Sequence, residues 1–451
     1  MSKSKHLSDL DIKVQLHPYT NAAEHTSIGP CIIERGEGIY VYDTEGNRYI
    51  EGMSGLWSVA VGFSEPRLRA AIQKQMDHLP YYHTFNHKSN IPSIELANML
   101  VDLAGDRFGK VFFSNSGSEA NDTIIKMVWY YNNALGRPNK KKIIARWGGY
   151  HGVTVATASL TGLKGNHDSF DLPLPRMLHV RKPHFYREGL PGESEEEFSS
   201  RLAHELDEFI QKEGPDTVAA FIGEPLMGAG GVVVPPKGYW EKIQAVCRKY
   251  DVLVIADEVI TGFGRTGHWF ASQLYGIQPD FMTVSKQLTS SYQPLAAVLM
   301  STKVASVIAD HSGHLGVFGH GYTASGHPIA TAVGAENLRI IRERGLVENA
   351  ARVGAVLQAR LSELADHPLV GEVRGVGLIA GVEFVADKAN RRPFEPTGSM
   401  GKRVAERAQA NGLIIRAVQD SIAFCPPLII TEEQVHDLVD RFAKSLDQVS
   451  V

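Results

Sequence analysis

Lys286 follows the apolar run Phe281-Met282-Thr283-Val284-Ser285, and Asp257 ends another, Val252-Leu253-Val254-Ile255-Ala256. A lysine at the tip of a buried strand loses hydration energy, and the usual need for one is a Schiff base with a carbonyl compound, for which the amine must be neutral. An aspartate on a neighbouring strand tip suits a second role, in which its carboxylate keeps a pyridine nitrogen protonated so that the ring withdraws electrons. Pyridoxal phosphate (PLP) is a carbonyl compound with both requirements. Taken singly, Lys286 also reads as a solvated lysine after a strand and Asp257 as a helix cap, so the surrounding tips have to decide.

The run Phe112-Phe113 leads into Ser114-Asn115-Ser116-Gly117-Ser118-Glu119 and then a helical stretch from Ala120 to about Ala134. Ser116 and Glu119 have capping-box spacing, Gly117 permits close approach, and the unpaired N–H groups of a helix start attract an anion such as a cofactor phosphate. An ordinary cap without a ligand has the same pattern. Ile144-Ala145-Arg146-Trp147-Gly148-Gly149-Tyr150-His151-Gly152 places Tyr150 in a glycine-flanked turn, where its ring is free to stack on a flat heterocycle. Glu224 and Asp257 end two further runs, and a carboxylate there suits a metal ligand, a general base or a ring partner. No His/Asp cluster with metal-ligand spacing lies near them in sequence. Asp257-Glu258-Val259 also resembles a nucleoside-triphosphatase strand, but the chain lacks a GxxxxGK[ST] loop, which excludes that class.

These tips need a scaffold that brings them together. Val111 to Phe113, Ile143 to Ala145, Val218 to Ile222, Val252 to Ala256, Phe281 to Val284 and Ala296 to Met300 are short β-type runs separated by amphipathic stretches. Apolar on both faces, they predict a mainly parallel sheet covered by helices, with ligands beyond the strands' carboxyl ends. Before it, residues 1 to about 35 read as irregular, and Gly38 to Ile50 as a hairpin with Gly46 at its turn. After about residue 325, helical segments at 329 to 345 and 347 to 366 precede Val373 to Phe384, which predicts a smaller α/β lobe. Residues 183 to 200 read as a surface excursion entering an acidic helix.

Composition narrows the partners. The chain has 451 residues, 43% hydrophobic and 21% charged, with Lys+Arg 46 against Asp+Glu 50. This is ordinary globular composition with no electrostatic footprint for nucleic acid or an anionic membrane. Cys31, Cys247 and Cys425 lack any CxxC spacing and read as free thiols in a reducing compartment. Neither an apolar leader core nor a run of about 18 apolar residues occurs, so a soluble cytoplasmic protein is expected.

The residues Asp257-Glu258-Val259-Ile260-Thr261-Gly262-Phe263-Gly264-Arg265-Thr266-Gly267, with Ser285-Lys286 downstream and Ser116-Gly117-Ser118-Glu119-Ala120-Asn121 upstream, resemble the class III, or omega, aminotransferases. The resemblance runs from about His17 to Leu428. It implies the α/β architecture of PLP fold type I, aspartate aminotransferase-like. A large PLP-binding domain would span 61–328, and a small domain would form from 329–451 together with the 1–60 segment and its hairpin.

The resemblance also implies roles. Lys286 matches the Schiff-base lysine and proton shuttle, Asp257 the pyridinium partner, and Val259 the residue under the ring. Ser116, Gly117 and Ser118 match the phosphate cup; Tyr150 stacks on the ring, and His151 and Glu224 lie in the cofactor shell. Thr323 matches a threonine that reaches the partner subunit's phosphate, which implies a homodimer with shared sites, or a tetramer built from it. The substrate residues look closest to the amine:pyruvate branch. Tyr19, Trp57 and Phe85 match an aromatic wall, Tyr150 and Ala229 border the pocket, and Arg416 matches an arginine that pairs with a substrate carboxylate. A surface salt-bridge residue is the ordinary alternative for Arg416. Ser290-Ser291-Tyr292 departs from the pattern, because relatives often carry glycine before the tyrosine. The expected activity is a ping-pong transamination from a primary amine or omega-amino acid to a keto acid such as pyruvate. Aminomutases, racemases and decarboxylases share the fold and differ in needing no second substrate, and a non-catalytic PLP-binding relative would turn over neither.

Overall fold

The computed structural model describes residues 3–449, and Met1, Ser2, Ser450 and Val451 lie outside the described residues. The apolar runs form β1 (Phe108–Ser114), β2 (Lys142–Arg146), β3 (Met177–Val180), β4 (Val218–Gly223), β5 (Leu253–Asp257), β6 (Phe281–Val284) and β7 (Ala296–Ser301). They make one seven-stranded sheet in the order β1-β7-β6-β5-β4-β2-β3. β7 runs antiparallel to both neighbours, with Ala297 opposite Phe113 on one side and Val284 on the other. The other pairs are parallel.

Every residue of β4, β5, β6 and β7 is buried, which explains why these strands show no polar alternation. Strand parity nevertheless decides which helices each side chain meets. Ile143, Ala220 and Ile255 pack with Ile124, Met127 and Val128 of the helix Gly117–Ala134. The intervening Ile144, Phe221 and Val254 pack with Leu202 and Leu206 of Glu195–Glu213 and with Trp240 and Ile243 of Tyr239–Lys249. Asp257 continues the Leu253 and Ile255 parity, so it points toward Gly117–Ala134. The topology thereby delivers a carboxylate to the helix that begins at the expected anion site.

Two smaller sheets flank this body. Ile33–Glu37, Tyr40–Asp43, Arg48–Glu51 and Leu413–Ile414 form one, in which Leu413 pairs with Ile50 in parallel, so the two ends of the chain share a sheet. The expected hairpin is present, with Gly46 at φ 88° and Asp43 accepting from the Glu45 and Asn47 N–H groups at 2.9 Å. Val370–Val376, Ile379–Phe384, Ser421–Phe424 and Arg416–Val418 form the other, entirely antiparallel.

The first 35 residues are not irregular. They form helices Lys3–Val14 and Ala22–Ile28 and the strand Ile33–Glu37. The second helix is capped by Asn21, which accepts from Ala23 and Glu24 N–H, but it buries no residue and so leaves no apolar period to read. The 183 to 200 excursion holds a short helix, Phe185–Glu188, and enters Glu195–Glu213 through a capping box of Ser194 and Glu197. Among the described residues no helix is long and apolar enough to cross a membrane.

Candidate active site

The carboxyl ends of β4, β5 and β6 and the start of Gly117–Ala134 border a cavity of about 330 Å³. Ser116, Gly117, Ser118, Tyr150, His151, Glu224, Asp257, Val259 and Lys286 all line it. Asp257 is 3% exposed, which requires that its oxygens be satisfied by protein. Its Oδ2 accepts from Asn121 Nδ2 at 2.8 Å and lies 2.8 Å from His151 Nδ1, while Oδ1 accepts from Val259 N–H at 3.2 Å. Asn121 is itself held by Thr283 Oγ1 at 2.6 Å and donates to the His151 carbonyl at 2.8 Å. Sequence reading does not single out Asn121. Its signal is its spacing, one helical turn after Gly117 and therefore on the same face.

At the helix start, Ser116 Oγ accepts from Glu119 N–H at 3.2 Å, as the capping spacing predicts. The reciprocal half is displaced: Glu119 Oε2 accepts from Asn115 N–H at 2.7 Å and Asn115 Nδ2 at 3.0 Å, so the glutamate braces the residue before the cap. The cradle is tight. A Cβ on Gly117 would sit 3.1 Å from Val259 Cγ2, and one on Gly152, at φ 135°, would meet Ser118 Oγ at 2.7 Å.

Lys286 opens a short 3-10 turn at φ 43°, a left-handed conformation that costs a non-glycine residue about 1 kcal/mol or more. Burial lowers its amine below the usual lysine range, and Arg416 adds to that against the opposing pull of Asp257 and Glu224. Among the described residues its Nζ has no hydrogen-bond or ion-pair partner. An untied amine whose charged form is disfavoured by burial suits attack on a carbonyl compound. Glu224 accepts from Tyr150 N–H at 3.0 Å and Gly228 N–H at 2.8 Å, and burial raises its carboxyl. It therefore fixes the turn that carries Tyr150. The residues fit the cofactor expected from the sequence: a buried carboxylate at one wall, an amine at another, a helix N-terminus in a glycine cradle, and the buried, unpartnered His151 Nε2 beside them.

A second cavity of about 450 Å³ adjoins the first and shares Tyr150, Ile260 and Lys286 with it. Tyr19, Trp57, Ala229 and Arg416 line it together. Tyr19 OH accepts from Asn166 Nδ2 at 2.7 Å. Arg416 sits on the edge strand Arg416–Val418, and among the described residues no carboxylate pairs with it, against the salt-bridge alternative. Phe85 and Thr323 line neither cavity. Both are exposed and close together, with Thr323 O accepting from Tyr81 OH at 2.8 Å and the Phe85 ring against Gly321. Ser290 Oγ, part of the sequence departure, donates to Asn337 Oδ1 at 2.8 Å and accepts from Ala60 N–H at 3.1 Å. Ser291, the residue before the tyrosine, sits at φ 57°, where glycine is the unstrained choice.

Glu51 is a functional candidate that sequence reading missed. Its buried carboxylate accepts from the N–H groups of Met53 and Gly55 and so fixes the loop leading to Trp57, in which Ser54, Gly55 and Trp57 all have positive φ. Burial raises the Glu51 carboxyl to about 7, against the lowering effect of those two bonds. The folded state therefore binds a proton more tightly than the unfolded chain, and this contribution to stability is lost as pH rises from the ordinary glutamate range through about 7. Glu51→Gln is expected to remove that slope, so the melting temperature of the variant gains on the parent between pH 5 and pH 8. An unchanged gap across that range would show that Glu51 does not titrate there.

The Aminotransferase class-III family matches residues 20–446. The gamma aminobutyrate transaminase 1, mitochondrial, of Solanum lycopersicum is 50% identical over 432 residues, covering 96% of this chain and 84% of that protein. Among solved structures, a thermostable omega transaminase 6-fold mutant from Pseudomonas jessenii superposes with a TM-score of 0.97 at 62% identity, covering 98% of each chain. The omega transaminase of the same organism in complex with PMP is also 62% identical, with a TM-score of 0.97 over 98% of this chain and 97% of that one.

Proposed function

The chain belongs to the class-III aminotransferases, and from that premise we propose that its amino donors are primary amines and omega-amino acids and that its acceptor is pyruvate. It is a PLP-dependent transaminase. PLP, when bound, supplies an electron sink for the carbon next to the transferred nitrogen. The chain's own groups do the rest. Asp257, steadied by Asn121 and His151, would face the ring nitrogen; Ser116, Gly117 and Ser118 would hold the phosphate, and Val259 and Tyr150 would border the ring. Lys286 Nζ would take the proton from the carbon that bears the amino group and hand it to the cofactor carbon that receives the nitrogen, which is what separates amino transfer from racemisation. Tyr19, Trp57 and Ala229 shape the apolar part of the pocket.

The observation that carries the acceptor assignment is the unpaired Arg416 guanidinium on the wall of a cavity that also contains Lys286. A guanidinium keeps its charge and offers a two-pronged fork to a carboxylate. Arg416→Ala is expected to raise KM for pyruvate about 10- to 100-fold, the cost of a lost charged hydrogen bond, while an aryl-alkyl amine without a carboxylate is little affected. Equal loss with both substrates would assign the arginine to structure instead.

Exposed Phe85 and Thr323 support a homodimer, or a tetramer built from two such dimers, in which each completes the neighbouring subunit's site. The free thiols support a cytoplasmic location, and the balanced charge supports small-molecule partners with neither nucleic acid nor membrane. The deciding experiment is the absorbance spectrum of PLP-loaded protein before and after amines, followed by keto acids. Donor amines should convert the cofactor to its amino form, and pyruvate should restore it with release of alanine. Restoration by 2-oxoglutarate and not by pyruvate would overturn the acceptor assignment.

A further inference from the structure

Two side-chain clusters outside the site combine carboxylates with imidazoles: His184, Glu372 and Glu383, and Asp11, His17 and His25. The first already holds a cation. Arg374 Nη1 donates to Glu372 Oε2 and to Glu383 Oε2 at 2.6 Å each, so a guanidinium occupies its centre.

Among the described residues the second has no such occupant. Asp11 belongs to the helix Lys3–Val14, His25 to Ala22–Ile28, and His17 to the turn between them. Asp11 Oδ2 lies 2.7 Å from His17 Nε2 and 3.0 Å from His25 Nε2, and the two rings are 4.3 Å apart. Adjacent ligands of a six-coordinate ion with bonds of about 2.1 Å stand about 3.0 Å apart, and those of a tetrahedral ion about 3.3 Å. The Asp11 oxygen already stands close to that spacing from each imidazole nitrogen, and all the ligand atoms lie within 4.8 Å of one another. The side chains are 12 to 27% exposed, which leaves water access to the remaining coordination positions. Imidazole and carboxylate together favour a borderline transition ion over calcium or magnesium, which take oxygen ligands.

We propose that Asp11, His17 and His25 form a binding site for a divalent transition-metal ion of the Zn²⁺ or Ni²⁺ type, with water completing its coordination. The ion replaces the two hydrogen bonds to Asp11 and ties both ends of the 17–25 segment to the first helix. Tyr19, on the wall of the second cavity, lies inside that segment, so the same ion restrains a residue of the pocket.

The test is calorimetric titration of PLP-loaded, chelator-stripped enzyme with Zn²⁺ and separately with Ni²⁺, in a buffer that does not bind metal. Saturable binding of one ion per chain is expected, with affinity that falls between pH 8 and pH 6 because protons compete for the imidazoles. Asp11→Asn/His25→Gln should weaken binding at least about tenfold, and the metal should raise the melting temperature of the parent but not of the variant. His25→Gln alone, whose metal-free melting temperature and cofactor absorbance report its folding, repeats the comparison with one change. No saturable binding, or the same affinity in both variants as in the parent, overturns the proposal. Heat and melting temperature read the ion directly, so this outcome is separate from the identity of the amine.

Discussion

Lys286→Ala is expected to slow both half-reactions by about 10⁴-fold or more, because the proposed mechanism makes one atom both tether and proton carrier. Lysine alone among the basic side chains combines reach with an amine that burial readily neutralises, and the lowered Lys286 amine is that case. Arginine stays charged at any working pH, so Lys286→Arg should fail as completely. The other proposed contacts to the cofactor come from β5 and from the helix Gly117–Ala134, so the alanine variant should still retain bound PLP. Single-turnover conversion with a donor amine, followed by its absorbance, separates the two effects. Near-normal turnover would refute the assignment of Lys286, and loss of cofactor with loss of rate would make its role one of retention.

Asp257→Asn is expected to lower kcat by about 10² to 10³, comparable with the removal of one preorganised polar group from an active site. The substitution nearly preserves shape. An amide oxygen in the Oδ2 position still accepts from Asn121 and His151, while its NH₂ faces the Val259 N–H, so the main structural change is one weak bond lost. What disappears is the negative charge that the proposed mechanism sets opposite the ring nitrogen. The amine KM should therefore stay within a fewfold of the parent while kcat falls. A large rise in KM with kcat preserved would mean that Asp257 only shapes the pocket.

Much of this site is legible in the sequence because chemistry-bearing residues stand at the ends of wholly buried strands, where the apolar run stops abruptly at Glu224, Asp257 or Lys286. The residues proposed for cofactor and substrate near those tips line two adjoining cavities. Asn121 is not legible, because its role depends on helix register and on the parity of a strand far away in sequence. Glu51 is hidden for another reason: in a hairpin an acidic residue normally faces water, and only the parallel pairing with Leu413–Ile414 and the loop folded over it bury the carboxylate. The helices before residue 35 escape detection because their faces are largely exposed and carry no apolar stripe. Thr323 and Phe85 are surface residues of the single chain, so any catalytic role for them lies in the proposed assembly.

In the proposed reaction, donor and acceptor enter in turn the one chamber beside Tyr150, Ile260 and Lys286. Whichever arrives out of turn blocks the form awaiting the other, so velocity should pass through a maximum and decline as either reactant is raised, most sharply when its opposite is scarce. A preparative reaction would then run best with the keto acid fed gradually.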